Sequence, residues 1–391
     1  MKKYILTLTL MILGVLKISA QVSAQENTEK EDIQTLIEQE DIQTLIEMGI
    51  TLHDERKYKE AIEIYKEALK IDPKSMYATY EMSLSYLSLR DYKNASLLSA
   101  KVINSKDKDL MVGAYGVKSE SLTEMGEADK AINLLEDALR SHGDNYYLHF
   151  NLALIYFKKG NLNKTITQVD KALDLNKSQS GAYLLSAYAL KDLDIWVQSI
   201  LSFHVFLMLE PDSHRSKNAF EEMLQLMQVK ETTKEPVERS FIQQQLQRKL
   251  PPSDSIQKVI PSLAPIHGIN RELIYNSLIE TKDSLKIATQ KSIGIDSTPL
   301  DSVETDLYIT FKEMTRTLFT VLSKENDGTK NDFIWNFHVP IVTKILNSAF
   351  FDIYCRYISV AYFPESLEWW ENNQEDAAKF VRWFEKGDED E

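Results

Sequence analysis

The sequence holds one cysteine, Cys355, and only 12 glycines and 10 prolines in 391 residues. A single cysteine excludes an intrachain disulfide and a zinc-ribbon ligand set. Scarce glycine and proline argue against a disordered or β-rich chain and for a helical one. Basic charge is short as well: 45 Lys and Arg face 59 Asp and Glu, for a formal net charge of −14. Phosphate recognition needs clustered Lys and Arg, so a nucleic-acid partner is not expected. The sequence has no H-E-x-x-H, no G-x-S-x-G and no phosphate-cradling glycine loop, and its seven histidines form no dense ligand pattern. No catalytic residue, metal ligand or cofactor site is therefore expected.

What is present is a weak self-similarity over residues 42–211. A small residue recurs as Gly49, Ser83, Ser119, Ala153 and Ala187, and twelve positions on as Ala61, Ala95, Ala131, Thr165 and Ser199. Three positions after the first set stands a large apolar residue: Leu52, Tyr86, Leu122, Tyr156 and Leu190. The steps are 34, 36, 34 and 34 residues. Antiparallel helices pack closely only where neither carries bulk at the crossing, which is what the small residues provide. A fixed period of this size marks a stacked array of helix pairs.

In period, small positions and closing prolines (Pro73, Pro211), the stretch resembles the tetratricopeptide repeat family. The resemblance implies an all-α helical solenoid of about five helix pairs, closed by a capping helix at 214–228. It implies further that the first helix of each pair lines a concave side where ligands lie. Carried onto this sequence, that lining yields a partner-binding set of Tyr77, Tyr80, Leu84, Tyr147, Phe150, Leu154, Phe157, Leu184 and Tyr188, with Gly113 and Gly116 as a floor. Apolar residues stand where carboxylate-gripping relatives carry Lys, Asn and Arg. The expected partner is a protein or peptide, or else the chain's own C-terminal half docked in the groove.

The domain reading follows. Residues 1–24 read as an export signal, with Lys2-Lys3, the run ILTLTLMILGVL and small residues before Gln21 or Gln25. The run is too short to span a bilayer, so no integral span is expected in the mature chain. Loss of a leader carrying three lysines and no acids takes the charge from −14 to −17. The leader resembles those of exported Bacteroidota proteins, which implies the periplasm or cell envelope of a Gram-negative bacterium. Residues 25–41 read as a helical extension containing a duplicated EDIQTLIE, 42–228 as the array with its cap, and 229–305 as a linker with irregular helices. Residues 306–391 read as an aromatic-rich helical bundle with an acidic tail, and Cys355 as a small buried hydrophobe within it. Two functions stay open: a scaffold that binds its partner in the groove, or an enzyme or small-ligand carrier with its site in 239–386.

Overall fold

The computed structural model describes residues 42–229, 268–294, 299–300, 303–326, 328–330 and 332–386. The leader, the 25–41 extension and most of the 229–305 linker lie outside them. Every regular element among the described residues is helical. In chain order they are α1 (42–54), α2 (Tyr58–Ile71), α3 (Met76–Ser88), α4 (Tyr92–Ser105), α5 (Lys108–Glu124) and α6 (Ala128–His142). Then come α7 (Tyr146–Lys158), α8 (Leu162–Leu175), α9 (Ser180–Asp192), α10 (Trp196–Leu209) and α11 (His214–Leu226). Next are α12 (Arg271–Ile293), α13 (Leu307–Glu325), a π-helix (Ile334–His338), α14 (Val339–Asn347), α15 (Phe351–Tyr357), α16 (Pro364–Asn372) and α17 (Gln374–Lys386). Contacts divide the chain into two compact units, 1–151 and 152–391.

The expected helix pairs are α1–α2 through α9–α10. The small residues Ala61, Ala95, Ala131, Thr165 and Ser199 are all fully buried at their crossings. Each pair turns in the same way. Arg56, Arg90, Gly126, Gly160 and Asp194 have positive φ and repeat the 34, 36, 34, 34 spacing. The next residue donates its N–H back to the carbonyl of Leu52, Tyr86, Leu122, Tyr156 or Leu190, at 2.8 to 2.9 Å. This is a Schellman closure, and it gives the recurring large apolar residue a second task, accepting the bond that ends its helix. Only two of the five left-handed positions are glycine. Gly126 has open space around it, so Gly126→Ala meets strain but no clash. It should cost about 1 kcal/mol, read as a lowered denaturation midpoint; an unchanged midpoint would mean the turn relaxes elsewhere.

In the second unit the array does not end in a polar cap. All thirteen residues of α10 from Trp196 to Met208 are buried, as befits a helix that is apolar all round. α11 covers α10 and is itself covered: Phe220 meets Phe311, Tyr362 and Phe363, with ring centroids 4.8 to 5.6 Å apart. Tyr183 of α9 stacks on Phe337 of the π-helix, and His204 of α10 is hydrogen-bonded to Tyr354 of α15 at 2.7 Å. The fifth helix pair, α11 and the C-terminal helices therefore share one core. Arg271, fully buried at the start of α12, donates to the Asp194 carbonyl at 2.6 Å and lies over Trp196. A long stem and a planar head let it cover apolar surface and cap a turn together. The π-helix runs into Pro340, whose missing N–H removes one rung of the regular ladder. Cys355 is fully buried, and burial pushes its thiol well above the ordinary range.

Candidate functional site

In the first unit, the first helices of successive pairs are neighbours. A Cβ placed on Gly113 of α5 would overlap the Tyr80 hydroxyl of α3. A Cβ on Gly116 would sit 3.2 Å from Asn151 Nδ2 of α7. These two glycines let side chains of the flanking helices lie over the α5 backbone. Tyr77 and Tyr147 are 41% and 54% exposed. Tyr80, Leu84 and Phe150 are half-buried. Phe150 stacks on Tyr146 at 5.7 Å, and Tyr146 meets Tyr147 edge-on at 5.1 Å. Tyr77, Tyr80 and Leu84 lie on α3 and Tyr147 and Phe150 on α7, all within the first unit.

The four remaining residues of the expected set belong to the second unit. Leu154 is half-buried. Phe157, Leu184 and Tyr188 are only 2 to 3% exposed. Tyr188 meets Phe203 edge-on at 5.4 Å. In these three the large apolar side chain is enclosed by the second unit's own packing.

Two features of the first unit lie outside the expected set. Glu81 is the sole charged residue of α3, MYATYEMSLSYLS, and is half-buried between Tyr77 and Leu84 in sequence. Tyr65 of α2 is fully buried and presses its ring against Gly49, yet its hydroxyl has no hydrogen-bond partner among the described residues. A lone charge in an otherwise neutral helix was the signal available for Glu81. Nearby, His53 is hydrogen-bonded to Ser85 at 2.8 Å, and burial lowers its pKa despite the opposing pull of Asp54. His149 faces Asp144 at 3.1 Å beside the turn between two helix pairs, a local structural contact.

Among the described residues no cluster of three or more His, Cys, Asp or Glu could hold a metal ion, and no helix is long and apolar enough to cross a membrane. In the 239–386 region the buried aromatics Trp335, Phe351, Tyr354, Phe363 and Phe380 form packing core.

Comparison with known proteins agrees with this architecture. Residues 42–75 and 122–189 match tetratricopeptide repeat family models. A TPR repeat-containing protein of Methanocaldococcus jannaschii is 29% identical over 126 residues, covering 32% of this chain and 22% of that protein. The auxiliary subunit of the N-terminal acetyltransferase A complex of Arabidopsis thaliana is 24% identical over 192 residues, 46% of this chain and 21% of that one. The matches thus span about a fifth of these relatives' length. Among solved structures, a thermophilic TPR protein of Thermus thermophilus aligns over 48% of this chain and 99% of its own, at 19% identity and a TM-score of 0.42. With five helix pairs in phase, one closing turn repeated in each, and family matches in both halves of the array, residues 42–209 form an array of tetratricopeptide repeats.

Proposed function

We propose that the protein is an exported, non-catalytic scaffold of the cell envelope, and that its first unit binds a protein or peptide segment along Tyr77, Tyr80, Leu84, Tyr147 and Phe150. One observation carries this reading: two large aromatics, Tyr77 and Tyr147, stand exposed on first helices while their neighbours Tyr80 and Phe150 are braced from beneath. Rigid tyrosines that cost little entropy on contact are favoured anchors of protein interfaces. The fold itself serves protein–protein interaction widely, and the auxiliary-subunit role of the Arabidopsis relative is in keeping with it. Export rests on the leader at residues 1–24.

The test is affinity capture from envelope extract with the mature chain, followed by direct binding of the captured protein in purified form. Changing Tyr77 and Tyr147 together to Ala should leave the melting temperature within about 2 °C, because both are exposed. The same change should weaken the purified pair by at least tenfold, about 1.4 kcal/mol. Equal affinity of the variant and the parent would sink the surface named here.

A further inference from the structure

Two polar side chains converge on the glycines of α5. The Tyr80 hydroxyl reaches across from α3 to where a Gly113 Cβ would stand, and Asn151 Nδ2 of α7 lies 3.2 Å from the Cβ position of Gly116. Gly113 and Gly116 are one helical turn apart, so their Cβ positions lie about 5–6 Å from each other on one face. The hydroxyl and the amide are therefore within roughly 11 Å of one another. Both residues are half-buried and their polar atoms are not enclosed. Neither makes a side-chain hydrogen bond among the described residues. The exposed Tyr77 stands one turn before Tyr80 on α3, and the exposed Tyr147 one turn before Asn151 on α7. Each flanking helix thus offers an aromatic ring and a hydrogen-bonding group along one face, with the two glycines of α5 between them.

We propose that the groove takes its partner as an extended segment held through its main chain, the Asn151 amide pairing with one peptide group and the Tyr80 hydroxyl with another about two residues away. The inference rests on the groove reading above and narrows it to the conformation of what binds there. A primary amide and a hydroxyl both donate and accept, which matches the N–H and C=O groups along an extended chain. Groups on one edge of such a chain recur every ~6.6–6.8 Å, so one step fits within the separation of the two side chains. A helical partner closes its own main-chain bonds. Its apolar face would cover the hydroxyl and the amide and leave both unpaired, which is costly. The missing Cβ atoms at Gly113 and Gly116 leave the room in which the two side chains lie. Tyr77 and Tyr147 are then left to contact side chains of the segment.

The experiment uses random peptides displayed on phage, selected on the full mature chain, with enriched peptides resynthesised carrying single amide-to-ester replacements. An ester keeps every side chain and removes one main-chain N–H. On the parent chain at least one ester should weaken Kd about fivefold or more. The same ester should cost less than about twofold on whichever of Asn151→Ala and Tyr80→Phe removes its acceptor. Both variants should melt within about 2 °C of the parent, since neither group is bonded within the fold. Ester penalties that are equal on the parent and on both variants overturn the proposal, as does tighter binding when α-aminoisobutyrate is placed in the peptide to favour a helix. If such peptides still lose at least about tenfold on Tyr77→Ala/Tyr147→Ala, the groove reading stands and only this inference falls. Peptides indifferent to that double change, or no enrichment on the parent chain, overturn both.

Discussion

Lowering the pH from 7 to 5 should cost the second unit roughly 4 kcal/mol of stability, about 2 for each of two buried histidines. His204 and His338 are wholly enclosed, and burial holds both pKa values down at about 3, against an ordinary 6.5; for His204 the nearby His338 adds to the depression. Their neighbours are aromatic: Phe319 and Tyr354 around His204, Tyr183, Phe333 and Phe337 around His338. Tyr354 keeps its proton and its hydroxyl is hydrogen-bonded to His204 Nδ1, while His204 Nε2 and His338 Nδ1 have no partner among the described residues. The sign follows from proton counts. Between pH 6.5 and about 3 the unfolded chain binds these protons and the folded chain does not, so stability falls as the pH falls through that window. Above pH 6.5 the contribution is flat. Urea denaturation at about pH 7, 6 and 5 measures it, and His338→Asn should halve the slope. A variant with the full parental slope would show that other groups carry the acid sensitivity.

Phe220→Ala should cost about 3–5 kcal/mol, the range for removing a fully buried phenylalanine. The ring lies where α11 meets α13 and the 362–363 segment, so its loss opens a cavity in a core shared by repeat and C-terminal helices. Unfolding of α9–α11 and of α13–α17 should shift together, by hydrogen exchange as well as by circular dichroism. If the C-terminal helices alone lost protection, the shared core would be two cores in contact.

The helix pairs were legible from residue spacing, because a crossing with no room for bulk leaves a small residue whatever the surroundings. The turn geometry was not legible. Arg56, Arg90 and Asp194 take a conformation that sequence reading assigns to glycine, since the two hydrogen bonds of the closure outweigh the strain. The extra layer over the fifth pair did leave a trace. WVQSILSFHVFLML is apolar on all sides, more than one helix partner requires. Read only for its small residue Ser199, the same segment passes for an ordinary second helix. Burial of Phe157, Leu184 and Tyr188 was hidden for a related reason: family geometry gives the facing of a position, whereas exposure depends on what else the chain packs there. Glu81 was visible as a lone charge, but its half-burial is a property of three dimensions.

The repeated closing turn also sets where the chain accepts added length. In every pair the second helix begins two residues after the left-handed position, and even the single 36-residue step leaves that spacing untouched: it lengthens α5 to 17 residues and shortens the connector before it. An inserted tag or linker within a pair must break a bond five residues back and pull two helices out of register. Between pairs it meets no such lock. Epitope tags, fluorophore attachment sites and graft points for this protein therefore belong at the connectors, and the turns inside the pairs are the places to leave alone.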